Sequence, residues 1–355
     1  MEKTKSVDLI VGGQYGSEGK GAVVAYLAKK SHYDVAVRVG APNAGHTVQV
    51  GDQKWKMRQL PCAGLVDDTT VLCVGANGLL EETVLKAEMD LVPHSTTRLK
   101  IDRNAGIVTE KHRLNEQQRR MFEKLGSTCE GIGEAQAEKV LRTDGFLRAK
   151  DVGWLKPFVT NVSDYLNEAV DRGLKIMIEG TQGYGISLNH GEWPFVTSRD
   201  VISASLLSDS GLAPTVVNNV YMVVRTYPIR VAGNSGPMGA DEIDWPTVPK
   251  RCGAPEGIIT ELTTVTKRVR RVSEFNEEMV VRAVKANRPS AIALMFADYI
   301  DWKNHGVNKY ENLTSSAKRF IDKIQELTGV PVTLVGTGPD ITHMVDRLAE
   351  GPILH

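Results

Sequence analysis

The segment GGQYGSEGKG at residues 12–21 combines glycine, serine and lysine at a spacing that could hold a phosphate group. An apolar run at residues 7–11 precedes it and a helical pattern at residues 21–30 follows it, which predicts a strand, a tight turn and a helix. Backbone N–H groups at a helix start, together with the ammonium group of Lys20, attract phosphate. However, Gln14 stands where both the Walker motif and the dinucleotide motif need glycine, so an ordinary turn is the alternative.

A second cluster, GAPNAGHT at residues 40–47, follows another strand-like run. It places Asn43, His46 and Thr47 among glycines, close to the predicted phosphate loop. A histidine in that position could stabilise the charge that develops during phosphoryl transfer. A single histidine is more often structural, and both interpretations stay open at this point.

Four further segments carry polar or glycine-rich residues, namely GSTCEGIGEAQAEKVLR at 126–142, EGTQGYGISLNHG at 179–191, TTVTKRVRR at 263–271 and VGTGPD at 335–340. The guanidinium groups of Arg268 and Arg270 suit a carboxylate or a phosphate, although such basic runs are commonly solvated surface. Asp298, which follows an apolar strand, could accept two hydrogen bonds from the edge of a nucleobase.

Alternating patterns predict the elements that must position these residues. Strands are predicted at residues 7–11, 34–39, 71–74, 176–178, 220–224, 292–296 and 332–335. Helices are predicted at residues 21–30, 79–90, 114–125, 162–172, 202–208, 277–286, 315–327 and 341–349. This alternation indicates an α/β protein with a mainly parallel central sheet flanked by helices, and ligands on such sheets bind at the carboxyl ends of strands. Because repeats and linkers are absent from the sequence, we expect a single domain over residues 1–355.

Bulk composition excludes several classes of function. Lys plus Arg and Asp plus Glu both number 43, and a neutral chain argues against a nucleic-acid-binding surface. The four cysteines lack the spacing of metal or redox motifs, which favours a reducing cytoplasm. The N-terminal apolar run is too short for a signal peptide, and apolar stretches stay well below the roughly 20 residues of a membrane span. We therefore expect a cytoplasmic protein that binds neither nucleic acid nor membrane.

Taken in order, the segments QYGSEGKG, GAPNAGHT, GIGEAQAEKVLR, EGTQG, VTKRVRR and GTGPD closely resemble the adenylosuccinate synthetase family, from about residue 7 to about residue 345. The resemblance implies that family's fold, which is related to P-loop nucleotide hydrolases, and a magnesium-dependent homodimeric ligase. Members join L-aspartate to a 6-oxopurine nucleotide, normally IMP, with GTP. The signatures QWGDEGKG and GIGPxYxxKxxR are kept except at Tyr15, Ser17, Glu134 and Gln136.

The resemblance also implies roles for individual residues. Those implied to bind the triphosphate are Gly16, Ser17, Glu18, Gly19, Lys20, Gly21, Gly45, His46, Thr47, Asp298, Gly336, Gly338 and Pro339. Those implied to bind the purine monophosphate are Ser17, Asn43, Ser127, Thr128, Gln182 and Thr197, with Arg142 reaching the neighbouring subunit's site. Thr264, Val265, Thr266, Arg268 and Arg270 match the L-aspartate pocket. Ser17, Lys20 and His46 are the implied catalytic residues, and Ser17 and Gly45 the implied magnesium ligands.

Ser17 is the main departure, because the family has a catalytic aspartate at this position that also binds magnesium. A serine hydroxyl is a poor base near neutral pH and brings no charge to a metal. A phage branch of the family has serine here and uses dGMP, whose C2 amino group lies next to N1 and needs room. By this resemblance the product would be 2-amino-2'-deoxy-N6-succinyladenylate, for diaminopurine DNA in a phage-infected host cytoplasm. An IMP-using synthetase and a non-catalytic nucleotide-binding relative are the alternatives.

The triphosphate is the second departure. The family reads guanine with Lys-x-Asp, whereas this chain has Phe296, Ala297 and Asp298. Losing the lysine removes a side chain that stacks on the base. Because the phage branch accepts adenine triphosphates, we expect ATP or dATP as the energy donor.

Overall fold

A computed structural model describes residues 5–262 and 268–347. In chain order the strands are β1 Val7–Gly12, β2 Val35–Arg38, β3 His46–Val50, β4 Gln53–Met57, β5 Val71–Val74, β6 Leu79–Leu80, β7 Leu99–Asp102, β8 Gly106–Ile107, β9 Val159–Thr160, β10 Ile176–Gly183, β11 Val217–Arg225, β12 Ile229–Arg230, β13 Glu242–Ile243, β14 Arg271–Ser273, β15 Ala291–Met295, β16 Val332–Gly336 and β17 Met344–Asp346. The helices are α1 Lys20–Ser31, α2 Glu82–Leu91, α3 Ser95–Arg98, α4 Glu110–Gln118, α5 Met121–Leu125, α6 Ile132–Leu141, α7 Val162–Asp171, α8 Ser203–Ser210, α9 Thr247–Cys252, α10 Glu277–Asn287 and α11 Ser315–Thr328.

A central sheet organises the chain. Within the described residues it contains ten strands in the order β17-β16-β15-β11-β1-β10-β2-β5-β7-β9. The neighbours pair in parallel, except for β17, which pairs antiparallel with β16. This arrangement confirms the predicted α/β class with a mainly parallel sheet.

Both faces of the sheet are covered, as the continuous apolar strands require. Side chains alternate along β1, so that Leu9 and Val11 pack with α7, α8, α10 and α11. Ile10 points to the opposite face and packs with α1 and α2. Because both faces of β1 are buried, the strand is fixed in register, and so is the loop that follows it.

The predicted strands are all present, but three helix predictions need correction. The last predicted helix is wrong, because residues 344–346 form β17 at the sheet edge, and the chain beyond residue 347 lies outside the described part. The helix predicted at 114–125 is divided into α4 and α5, since the run NEQQRR offers no apolar side chain to bury and Arg120 turns left-handed with φ 54°. The helix α2 begins after the predicted start because the Glu81 carboxylate accepts from the N–H groups of Thr83 and Val84 and so caps it.

The carboxyl ends of the central parallel strands meet at one edge of the sheet. The segments that follow β1, β2, β10, β15 and β16 at this edge carry most of the predicted site residues. In the described part of the chain, every helix is too short or too polar to cross a bilayer.

Candidate active site

The loop between β1 and α1 is held in shape by one of its own side chains. The buried Glu18 carboxylate accepts from the N–H groups of Gln14 at 3.1 Å and Gly16 at 2.7 Å. Lys20 donates to the second carboxylate oxygen at 2.5 Å and is itself 1% exposed. Burial alone would raise the pKa of Glu18, but Lys20 and the loop amides outweigh it and lower the pKa. The loop therefore carries its own anion, which sequence reasoning did not foresee.

Ser17 adopts a left-handed backbone conformation in this loop, with φ 58°. Gly16 and Gly19 in the same loop also have positive φ, at 91° and 100°, which explains why these two positions are glycine. The Ser17 carbonyl accepts from Arg225 at 3.0 Å. Ser17 lies in the wall of the cavity described below.

His46 belongs to a buried cluster that joins three strands. Its Nδ1 lies 2.9 Å from Arg38 and 2.5 Å from Glu179, and its Nε2 lies 3.1 Å from the Thr181 carbonyl. Arg38 also donates to Glu179. Burial, reinforced by Arg38, lowers the pKa of His46 to about 4, so the ring is neutral at pH 7. Burial would raise the pKa of Glu179, but Arg38, His46 and the Cys62 N–H together outweigh burial, and the pKa falls to about 2.

Glycine at position 21 allows this cluster to lie against α1. A Cβ atom on Gly21 would stand 2.9 Å from the His46 Cβ and 3.0 Å from the Thr47 carbonyl oxygen. His46 and Lys20 are both buried beside the cavity and outside its lining. In this conformation, therefore, Lys20 and His46 do not line the cavity, whereas Ser17, the third predicted catalytic residue, does.

Two sets of donors could be considered for a metal. His46, Cys62 and Glu179 bring ligand atoms within 4.8 Å of one another, but Arg38 already supplies the positive charge there, and burial raises the pKa of the Cys62 thiol well above its usual range. Ser17 and Gly45 instead offer neutral oxygens at the cavity wall. Magnesium takes oxygen ligands and commonly shares substrate phosphates, so this second pair fits an ion that arrives with the triphosphate.

A cavity of about 390 Å³ opens at the carboxyl edge of the sheet. The residues predicted to bind the purine monophosphate form much of its wall, namely Ser17, Asn43, Ser127, Thr128, Gln182 and Thr197. Gln182 donates to Thr197 at 3.1 Å and to Asn43 at 3.4 Å, so three of these side chains touch one another. Tertiary structure thus brings five separate segments into one pocket.

Arg142 lies apart from this cavity. It ends α6 in a left-handed conformation and is exposed, although Ser127 and Thr128, just before the same helix, line the pocket. The exposed side chains of Val140 and Leu141 precede it. This position leaves Arg142 outside the site of its own chain.

The predicted L-aspartate residues are only partly described. Arg270 lines the cavity, and Arg268 stacks over the Phe122 ring at 3.8 Å. Thr264, Val265 and Thr266 lie outside the described residues. The main chain of Arg270 donates to the Glu261 carbonyl at 2.9 Å, and its Nε donates to the Leu262 carbonyl at 3.2 Å.

The predicted nucleobase end of the triphosphate site lies after β15 and β16. Asp298 is 3% exposed, and its Oδ2 lies 3.0 Å from His305 Nδ1. The other carboxylate oxygen, Oδ1, is buried without a partner among the described residues. Buried polar atoms normally have a hydrogen-bond partner, so this oxygen is able to accept one from a ligand. Burial raises the pKa of Asp298.

Glycines shape this end of the site. A Cβ atom on Gly336 would stand 2.4 Å from Met295, and one on Gly338 would stand 2.5 Å from His343. Pro339 follows on the exposed surface. Phe296, which stands in place of the family's lysine, packs its ring on the Arg225 guanidinium at 3.9 Å.

Sequence reasoning missed several charged residues at the site. Each of these residues is a charged side chain within or at the end of an apolar strand run, namely Arg38, Glu179, Arg225 and Arg230. A charge in a buried strand is unusual, and this pattern could have identified them. Arg230 is 4% exposed, lines the cavity and lies over the Tyr15 ring at 4.5 Å. Burial lowers its pKa to about 10. Trp193, which is 75% exposed, forms part of the cavity rim.

Comparisons with known proteins agree with this geometry. The family model for adenylosuccinate synthetase matches residues 9–153 and 149–305. Adenylosuccinate synthetase of Methanocaldococcus jannaschii is 38% identical over 346 residues, covering 96% of this chain and 97% of that protein. That of Pyrococcus horikoshii is 37% identical over 345 residues, covering 96% and 98%.

Two solved structures share the architecture. One is succinoaminodeoxyadenylate synthetase of cyanophage S-2L, bound to dGMP and dATP as an energy donor. It is 29% identical to this chain with a TM-score of 0.82, and the match covers 97% of this chain and 96% of that one. The other is adenylosuccinate synthetase of Plasmodium falciparum, which shares the fold with a TM-score of 0.84 at 20% identity, over 96% of this chain and 99% of that one.

Proposed function

The chain belongs to the adenylosuccinate synthetase family and is a ligase that forms a carbon–nitrogen bond, and from this premise we propose that it joins L-aspartate to dGMP with ATP or dATP. The products would be 2-amino-2'-deoxy-N6-succinyladenylate, the nucleoside diphosphate and phosphate. The observation that carries the proposal is Ser17, a small neutral side chain in the wall of the purine cavity.

The size and the charge of residue 17 both favour a guanine nucleotide. Guanine carries an amino group at C2, beside N1, and serine is shorter than the family's aspartate. Its hydroxyl can accept a hydrogen bond from an N–H group of the base. The likeness to the cyanophage enzyme, whose structure holds dGMP and dATP, supports the same substrate.

Other residues keep the family's chemistry. The 6-oxygen of the purine would attack the γ-phosphoryl group, and the amine of L-aspartate would then displace phosphate from C6. His46 would turn its Nε2–H from the Thr181 carbonyl toward the transferring group, and Lys20 would leave Glu18 for a phosphate oxygen. Arg268 and Arg270 would bind the carboxylates of L-aspartate through their guanidinium forks.

Magnesium would be held by the Ser17 hydroxyl and the Gly45 carbonyl together with the triphosphate. When bound, it supplies positive charge to the phosphate oxygens. The remaining tasks fall to this chain's own groups, which bind and orient the three substrates.

The proposed energy donor follows from the nucleobase end. Phe296 packs on Arg225, so it takes the place of a lysine without offering a guanine-stacking stem. One buried oxygen of Asp298 has no partner in the described part of the chain and could accept a hydrogen bond from the amino group of adenine. These contacts support ATP or dATP over GTP.

The decisive experiment assays purified protein with L-aspartate and magnesium. dGMP, GMP and IMP would each be combined with ATP, dATP and GTP, and succinylated product would be measured. We expect turnover to be fastest with dGMP and an adenine triphosphate. Faster turnover with IMP would support an ordinary adenylosuccinate synthetase. Nucleotide binding with no turnover in all of the combinations would indicate a non-catalytic relative. Either result would overturn the proposal.

A further inference from the structure

One buried guanidinium, that of Arg225, contacts three separate segments of the site. Arg225 ends β11 and is 0% exposed. It donates to the Ser17 carbonyl at 3.0 Å and forms a two-armed contact with the Glu261 carboxylate, one arm measuring 3.2 Å. Its third neighbour is the Phe296 ring at 3.9 Å. Phosphate loop, L-aspartate segment and nucleobase end therefore meet at one side chain.

On the loop side, Arg225 is fixed through both its main chain and its side chain. Gln14 donates to the Arg225 carbonyl at 3.0 Å and accepts from the Arg225 N–H at 2.9 Å. A left-handed conformation is unfavourable for a residue other than glycine and persists only where its surroundings hold it. The bond from Arg225 to the Ser17 carbonyl is one of the contacts that hold Ser17 in that conformation.

On the other side, Glu261 is joined to the segment that carries Arg270. The Glu261 carbonyl accepts from the Arg270 N–H at 2.9 Å, and Leu262 pairs with Val269 in an antiparallel bridge. Tyr299 also donates to Glu261 at 3.3 Å. Burial favours the neutral acid, but Arg225 outweighs it and lowers the pKa of Glu261, so the pair is ionic at neutral pH. The main chain of Arg270 is therefore bonded to the same residue whose carboxylate pairs with Arg225.

We infer that Arg225 is a positioning residue that couples the L-aspartate pocket to the Ser17 loop. This rests on the proposed function in one respect, the assignment of the Arg270 segment to L-aspartate. A dicarboxylate that draws Arg270 changes the position of Glu261, and the rigid fork of Arg225 passes that change to the Ser17 carbonyl. The contacts of Arg225 would then differ between the states with and without the dicarboxylate, and such a difference is what couples the affinities of two sites.

The test measures this coupling directly. The affinity of dGMP would be measured by calorimetry without and with saturating succinate, which has both carboxylates of L-aspartate but no reactive amine. In the unaltered protein we expect succinate to change the dGMP affinity by about fivefold or more, the usual lower range for coupled sites. In Arg225→Met the factor should fall to about one, whatever the affinity of this variant for dGMP alone.

Three further variants sharpen the result. Arg225→Lys keeps the charge but loses the fork, and should retain only part of the coupling. Glu261→Gln keeps the shape and removes the charge, and it serves as the second test if Arg225→Met does not fold. Arg251→Met breaks the exposed ion pair with Glu274 away from the site and should leave the coupling unchanged.

Coupling that persists in both Arg225→Met and Glu261→Gln would overturn the inference, as would its absence from the unaltered protein. If IMP rather than dGMP binds the unaltered protein, the proposed substrate is wrong, and the same measurement with IMP still tests Arg225.

Discussion

At the scale of single residues, Ser17 separates two properties that aspartate combines at this position. Aspartate brings both a base and a charge, whereas serine brings only a short side chain and a hydroxyl. The backbone at residue 17 has φ 58°, a region that aspartate and asparagine tolerate better than most side chains. Substitutions there can therefore change chemistry while the loop keeps its shape.

Ser17→Asp is expected to shift the ratio of kcat/KM for dGMP over IMP by at least about tenfold toward IMP, or about 1.4 kcal/mol in transition-state free energy. The reason is that a carboxylate restores a base at the N1 edge and crowds the C2 amino group. Ser17→Asn is the matched control, since it has the size of aspartate without the charge. An unchanged ratio in Ser17→Asp would show that residue 17 does not set substrate specificity. An equal shift in both variants would show that the size of the side chain, and not its charge, sets the ratio.

At the scale of elements, the cluster of Arg38, His46 and Glu179 joins β2, β3 and β10 beneath the carboxyl edge of the sheet. All three side chains are at most 5% exposed. Groups buried this deeply resist changes of protonation that the unfolded chain accepts freely. The strands that carry the site should therefore lose stability in acid.

The free energy of unfolding is expected to fall as the pH drops from 6.5 to about 4, the ordinary and folded pKa values of His46. In that window the unfolded chain binds a proton on His46 that the folded chain does not, so stability is lost as the pH falls. Glu179 adds a second loss between pH 4.5 and about 2, where its folded carboxylate resists protonation.

Denaturant unfolding across this pH series would measure both losses. His46→Gln should flatten the dependence between pH 6.5 and 4, and the exposed His94→Gln should not. A pH dependence that is the same in His46→Gln and the unaltered protein would show that another group causes it.

At the scale of the whole molecule, the position of Arg142 bears on assembly. We propose that residues 1–355 form one domain and that two copies form a dimer, in which Arg142 reaches the neighbouring purine site. Support comes from Arg142 lying outside the cavity of its own chain and from the exposed Val140 and Leu141, which are 66% and 73% exposed and suit an interface.

Mixing two inactive variants would test this arrangement. Arg142→Ala and Lys20→Met should each be nearly inactive alone, because each removes a phosphate contact from every site. If the subunits of an equal mixture exchange freely, about half of the dimers contain one copy of each variant. In such a mixed dimer one of the two sites has both an intact Lys20 and an intact Arg142. Activity should therefore return to about a quarter of the unaltered level. A mixture as inactive as its parts would place Arg142 in its own subunit's site, and an active Arg142→Ala variant would place Arg142 outside catalysis.

Local sequence was sufficient for much of this protein. The apolar runs predicted seven of the ten central-sheet strands in the described part of the chain, because a strand buried on both faces must be apolar along its length. The glycine-rich loops identified the carboxyl edge of the sheet, and the motif resemblance named the family. The helix at 341–349 was wrong because a three-residue strand at a sheet edge depends on its partner β16 rather than on its own pattern.

Only the tertiary structure decided how the charges are paired. Arg225 and Glu261 are 36 positions apart in the chain, and His46 and Glu179 are 133 apart. Such pairs have no sequence period, since they depend on which strands lie side by side and on how far a buried side chain can reach. The sequence therefore determined the family and the residue types of the site, whereas the fold determined that Arg225 donates a hydrogen bond to the Ser17 carbonyl.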